Sequence, residues 1–234
     1  MIIQGDAKSL EWVLGSYLSK DKVAYQEIFD GIDMHTSNQV AFGLPSRLIA
    51  KVFVFRLMYG GSAYSYAHDP DFTDVSKSEK YWQNVIDKFY SKYKGLAKWH
   101  TQIVQEVTTT GQLVMPTGRI YQYERNNRGE WPETTIKNYP VQGLGADVMS
   151  IARISFFRRF KALGIEGVQV NTVHDSIVVD VPEHEVPQVV KLFHDVFNDL
   201  PLNFDRVFKV KFDLPLRVEV SAGNNMKELT EVKM

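Results

Sequence analysis

A chain of 234 residues with 44% hydrophobic side chains is long enough for one large domain or two small intertwined ones, and it can bury a sizeable core. A formal net charge of −1 excludes a globally basic nucleic-acid binder, so any anion site must be built from local clusters of Lys and Arg. With no cysteine there are no disulfides and no thiolate metal sites, which fits a reducing cytoplasm, and no uninterrupted apolar run approaches a membrane span, so no membrane partner is expected.

The opening MIIQGDAKSL lacks the basic segment and long apolar run of a secretory signal. Residues 1–5 read as a strand that stops at Asp6. Leu10, Val13, Leu14 and Tyr17 share one face of a helix predicted over 8–20. Further helices are predicted over 34–42 and 46–59, the second opened by Pro45-Ser46. The stretch 69–80, DPDFTDVSKSEK, reads as a surface loop leading into a helix. A long amphipathic pattern over 77–109 (Tyr81, Val85, Phe89, Leu96, Ile103) breaks near Gly95. GQLVMPTGRIYQYE, 111–124, reads as strand, turn and strand, and 126–133 as loop. A helix over 140–162 is stopped by Gly164. Residues 166–173 and 176–181 form a hairpin-like pair around His174-Asp175, a helix over 184–199 opens at Pro182-Glu183, and 215–220 is a last strand. Strands and helices in runs, without βαβ alternation, predict an α+β fold: a small antiparallel sheet of 1–5, 166–173, 176–181 and 215–220 backed by helices, with a mostly helical insertion over about 24–137.

Two acids fall at the ends of strand-like runs, Asp6 and Asp175. If their strands are neighbours, the carboxylates converge, and hard oxygen ligands on a rigid sheet suit Mg²⁺ whose remaining ligands come from substrate phosphates. Two such ions can stabilise both oxygens of a phosphoryl transfer. Each acid also suits ordinary work, Asp6 as a helix N-cap and Asp175 as a turn residue. The contiguous His174-Asp175-Ser176 run is no catalytic triad, because strand neighbours point to opposite faces.

The stretch RLIAKVFVFRLMYG, 47–60, places Arg47, Lys51, Phe55 and Tyr59 every fourth residue, a single stripe along a helix. The cations at the helix start can grip phosphate oxygens and the aromatics can cover a base or sugar, so a nucleoside triphosphate satisfies both halves. The competing reading is an amphipathic helix with solvated cations and the aromatics in the core. Lys88, Lys92, Lys94 and Lys98 interleave with Phe89, Tyr90, Tyr93 and Trp99, which reads as a solvated face over a core stripe.

These residues together resemble family A DNA polymerases, the bacterial polymerase I type. Arg47-x3-Lys51-x3-Phe55-x3-Tyr59-Gly60 resembles motif B, VHDS at 173–176 motif C, and GDAKSLE at 5–11 motif A, in the family's order. DMHT at 33–36, NYPVQGLGAD at 138–147 and PLRVEV with the later GNN resemble further family segments. The short link from His35 to Arg47 is most similar to replicative phage polymerases, which would place the protein in the cytoplasm of a host cell.

The resemblance implies a palm of 1–23 and 138–234 and a fingers region of 24–137, with the motif B helix at 46–60. It implies two Mg²⁺ ions, with Mn²⁺ as a substitute, held by Asp6, Asp175 and the Ala7 carbonyl. Arg47 and Lys51 would hold the incoming dNTP triphosphate, touched by His35 from the side, with Lys51 also the general acid to pyrophosphate. Phe55 and Tyr59 would line the base and sugar pocket. Glu11 would sit beneath the sugar and, with Tyr59, exclude a 2′-hydroxyl. His174, Asn138 and Gln142 would contact the primer terminus or minor groove, and Arg119 the template strand.

Three departures stand out. Ser176 replaces the usual second acid of motif C, AKSL replaces the usual Tyr-Ser-Gln-Ile after the first Asp, and Thr134 stands where a basic residue is common. Met1 lies directly before motif A, so the expectation is a split polymerase in which a second polypeptide supplies thumb and exonuclease, acting on primer-template DNA. The alternatives are a non-catalytic DNA-binding or assembly remnant and a single-subunit RNA polymerase. Glu11 argues against the latter, since a carboxylate under the sugar clashes with ribose.

Overall fold

The computed structural model describes residues 1–233, which divide into two compact units: residues 1–14 with those from Gln142 onward, and residues 15–141.

The first unit is built on a sheet. Strand β1 (Ile2–Ala7), the hairpin β4 (Val168–Val173) and β5 (Ser176–Asp180), and β6 (Val218–Gly223) with the short β7 (Thr230–Glu231) assemble in the order β4-β5-β1-β6-β7, every neighbouring pair antiparallel. The β-branched run from 168 to 181 favours this pleated, half-buried setting. Along β1 burial alternates, Ile3, Gly5 and Ala7 turning inward. Helix α10 (Val186–Asn198) covers that face of β1 and β6 with Val189, Val190, Phe193, Val196 and Phe197. Its Phe193 ring lies 4.3 Å from that of Phe156 on α9 (Glu133–Ala162) and seals the core. Gly5 is where the packing is closest, since a Cβ there would lie 2.3 Å from the Phe193 ring.

Sequence expectations need correction at several places in this unit. Helix α9 starts at Glu133, not 140, and runs through Pro140. An interior proline removes one helical hydrogen bond, and here the burial of Ile136, Val141 and Leu144 along the same helix offsets the loss. The stretch 184–199 is a 3-10 turn followed by α10, and a further helix, α11 (Leu200–Phe208), begins with Pro201 in its first turn. The last long strand is 218–223 rather than 215–220, because β1 ends at Ala7, opposite Val218, and one more bond from Lys8 N to the Arg217 carbonyl exhausts the partner.

The second unit is mostly helical: α2 (Lys22–Phe29), α3 (Met34–Phe42), α4 (Arg47–Met58), α5 (Ala63–His68), α6 (Pro70–Thr73), α7 (Glu79–Lys92) and α8 (Lys94–Thr110), with a small hairpin of β2 (Gln112–Val114) and β3 (Ile120–Gln122). Its centre is aromatic. Phe53 of α4 packs on Tyr66, Trp82 and Phe89, with ring centroids 5.0–6.2 Å apart, and the Tyr66 hydroxyl donates to the Phe53 carbonyl at 2.8 Å. A buried polar cluster ties α2, α3 and α7: Lys92 Nζ pairs with Glu27 at 2.8 Å and donates to Ser37 and Asn38, and the Tyr93 hydroxyl donates to Glu27 at 2.7 Å. Lys92 is therefore not part of a solvated face.

The stretch read as loop over 69–80 contains α6, where Asp69 caps and Pro70 sets the first turn, because Phe72 buries edge-on against Trp82. The break expected near Gly95 falls at Tyr93. Gly95 serves close approach instead: its N–H donates to Asp21 Oδ2 at 2.6 Å, and a Cβ there would lie 2.6 Å from the Asp21 Cα.

Candidate active site

Asp6 lies inside β1 rather than after it, so it is not the cap of the helix that follows. Its Cα is in register with Ser176 of β5 on one side and Glu219 of β6 on the other. The Ala7 N–H donates to the Asp175 carbonyl at 2.9 Å, so the backbones carrying the two acids are locked together by one hydrogen bond. Asp175 is the second residue of the two-residue turn joining β4 to β5, and His174 before it has φ +51° and is exposed. Histidine tolerates this left-handed region better than bulky or β-branched residues do, and a tight hairpin turn needs a positive φ. Both Asp6 and Asp175 are half-buried, and Ala7 is buried.

Ser176, in the place of an acid, is 1% exposed and donates its hydroxyl to the Val173 carbonyl at 2.9 Å. It secures the hairpin and points no charge toward the pair. Glu219, which sequence reasoning did not single out, shares the face of Asp6 but is ion-paired with Lys8 at 2.8 Å. The only signal for it was its place in the last strand, VEV. Among the described residues no group of three or more His, Cys, Asp or Glu side chains is arranged to hold a metal ion. The sheet brings the backbones of Asp6 and Asp175 together.

In the second unit α4 begins at Ser46, whose side chain accepts the Ile49 N–H at 3.2 Å. The helix buries Ala50, Phe53, Val54, Leu57 and Met58, which leaves Arg47 and Lys51 exposed and Phe55 and Tyr59 half-exposed along the opposite stripe. The aromatics of the stripe are thus not core residues. Lys51 Nζ lies 6.0 Å from the Phe55 ring centroid, and the His35 ring centroid lies 5.6 Å from it. Tyr59 ends the helix, and Gly60 turns with φ +88° where a Cβ would meet Thr134 at 3.2 Å. Only Gly43 to Ser46 separate α3 from α4, Gly43 capping α3 in the left-handed conformation.

His35, 5% exposed on the first turn of α3, keeps a buried Nδ1 with no protein partner. Burial pushes its pKa down to about 4, with Arg47 and Lys51 adding to the effect and Asp33 opposing it. At neutral pH it is an uncharged imidazole. His100, buried in α8 beside the Tyr90 hydroxyl at 3.1 Å, is pushed down to about 3 by burial. Both titrate near 6.5 in an unfolded chain. Between pH 6.5 and about 4 the unfolded chain therefore binds more protons, and stability falls as the pH drops through that window, by on the order of 3 kcal/mol for each histidine. Asp33, held well below the usual carboxylate range chiefly by its bond from Arg47, loses its contribution only in stronger acid and adds no slope there. Thermal unfolding at stepped pH should show this decline, and His35→Gln or His100→Gln should flatten it; a midpoint constant from pH 7 to 4 would contradict it.

The remaining expected contacts are placed as follows. Glu11 is half-buried in the first turn of α1 (Leu10–Ser19). Asn138 and Gln142 lie four residues apart on α9, half-buried and exposed respectively. Arg119 precedes β3, exposed, and its carbonyl accepts the Met115 N–H at 2.8 Å across the turn. Asp33, which caps α3 and binds Arg47, was missed, although DMHT lay within a quoted segment.

The architecture is that of a polymerase domain. It superposes with a TM-score of 0.78 on the POL domain of Pol1 from M. smegmatis, solved in complex with DNA primer-template and dNTP, at 22% identity over 95% of this chain and 39% of that one. The chain belongs to DNA polymerase family A, whose sequence model matches residues 1–228. Among curated relatives it is 28% identical to the thermostable DNA polymerase I of Thermus filiformis, covering 97% of this chain and 27% of the relative. It is 25% identical to DNA polymerase I of Lactococcus lactis, covering 97% and 26%. The chain thus spans about a quarter of the length of these relatives.

Proposed function

We propose that the chain carries the nucleotidyl-transfer centre of a DNA-templated DNA polymerase, in which a primer 3′-hydroxyl attacks the α-phosphate of a dNTP and pyrophosphate leaves. The observation that carries this reading is the bond from Ala7 N to the Asp175 carbonyl, which joins two half-buried acids at one end of the sheet. Asp6, Asp175 and the Ala7 carbonyl would hold two Mg²⁺ ions, or Mn²⁺ in their place. When bound, such ions stabilise charge on the attacking and leaving oxygens.

In the second unit Arg47 forks onto phosphate oxygens and Lys51 adds a mobile charge and a proton for the leaving pyrophosphate. His35, neutral because burial pushes its pKa down, would touch the same group from the side. Phe55 and Tyr59 receive base and sugar, and Asn138, Gln142, His174 and Arg119 contact primer and template. Glu11 rejects ribose: Glu11→Ala should raise ribonucleotide incorporation about tenfold or more relative to deoxyribonucleotide, measured by primer extension with each substrate. No change in that ratio would remove the case against a single-subunit RNA polymerase.

Duplex grip and proofreading are not assigned to any described residue. We assign these to a second polypeptide supplying thumb and exonuclease, working in the cytoplasm, that of a host cell if the short α3–α4 link marks a phage enzyme. No helix among the described residues is long and apolar enough to cross a membrane. Co-purification from the native source, then primer extension with and without the recovered partner, tests the arrangement. Restored extension on mixing supports it, and processive extension by the chain alone contradicts it.

A further inference from the structure

The guanidinium assigned to the triphosphate is already occupied. Arg47 donates from Nε to Asp33 Oδ2 at 2.6 Å and from a terminal nitrogen to Oδ1 at 3.2 Å, the two-pronged geometry in which arginine also takes a phosphate. The same carboxylate is pinned from its own helix: Oδ1 accepts the His35 N–H at 3.1 Å and Oδ2 the Thr36 hydroxyl at 2.7 Å. With four donors converging, its acceptor capacity is filled. Asp33 therefore cannot follow Arg47; the cap on α3 holds it in place, so parting the pair requires the arginine side chain to move. Both side chains are about half exposed, 56% for Arg47 and 43% for Asp33, so the pair is weak enough to exchange.

We propose that Asp33 is a built-in anion mimic, a latch that occupies Arg47 until a triphosphate displaces it, and so sets how strong an anion must be to engage the site. The proposal rests on the assignment of Arg47 to the triphosphate. A latch and a support predict opposite signs. If Asp33 competes, removing its charge tightens anion binding; if it merely positions Arg47, removal weakens binding.

The test is calorimetric titration of inorganic tripolyphosphate, without metal, into the full chain at fixed ionic strength. Asp33→Asn keeps an oxygen to cap α3 and loses the charge, and Asp33→Ser, also a good cap, serves as a second variant if the first disturbs folding. The expected result is a two- to fivefold tighter Kd, about what an exposed ion pair is worth, and no gain when Arg47→Ala is already present. An unchanged or weaker Kd in a folded Asp33 variant, with Arg47→Ala weakening binding, would overturn the latch and leave the arginine's role intact. A Kd indifferent to Arg47→Ala would instead remove the arginine from the triphosphate site.

Discussion

Asp175→Asn is expected to lower the primer-extension rate by a hundredfold or more while leaving the unfolding midpoint and DNA affinity close to those of the parent. The substitution keeps the shape and one side-chain oxygen but removes the negative charge that would hold a divalent ion, and metal-dependent stabilisation of the transferring phosphoryl group is a transition-state effect. The structural role of this residue runs through its backbone, whose carbonyl accepts the Ala7 N–H, so the sheet survives the change. The same asymmetry separates the two main readings of the chain. A polymerase loses rate and keeps binding. A non-catalytic remnant loses neither, and an unchanged rate would establish that the acids at the end of the sheet are turn and strand residues only. Ser176 does not substitute, since it carries no charge and is 1% exposed, its hydroxyl donated to the Val173 carbonyl.

The second large effect is on folding. Gly5→Ala places a methyl group 2.3 Å from the Phe193 ring, on a central strand hydrogen-bonded on both sides. Neither partner can yield easily. Phe193 is fully buried and packed against Phe156, and β1 is held in register by β5 and β6. The expected cost is about 3 kcal/mol, a fall of roughly 6–12 °C in melting temperature for a chain of this size. Phe193→Leu in the same chain should recover part of the loss by opening space, although alone it is destabilising. A melting temperature within a degree or two of the parent would show that the strand and α10 can separate at no cost. Because Asp6 is the next residue, the same displacement should also disturb the acid pair, so activity should fall further than stability alone accounts for.

Most of the short-range structure was legible. The helix 34–42 was read to the residue, and α4 to within one at each end, because a capping serine, a left-handed glycine and a clean apolar period are all local signals. The hairpin around His174-Asp175 was equally plain, marked by β-branched runs on either side of two polar residues. Where local rules failed, a distant contact had overruled them. Pro140 looked like the start of a helix, yet α9 begins at Glu133 and runs through it on the strength of buried neighbours. The break expected near Gly95 falls two residues earlier, at Tyr93, and Gly95 itself is a point of contact with Asp21.

The functional residues divide the same way. Periodicity alone put Arg47, Lys51, Phe55 and Tyr59 on one stripe, since a helix brings residues four apart together whatever surrounds it. Whether that stripe faced solvent or core was settled by Phe53 and its aromatic partners taking the inward side. That Asp6 stands opposite Ser176 and Glu219, and that Asp33 reaches Arg47 across the α3–α4 turn, came only from the folded chain. Turn chemistry and helical spacing act over a few residues and are written into composition. Strand register and ion pairing are choices among many alternatives of similar local energy, and only the burial of a shared core selects one.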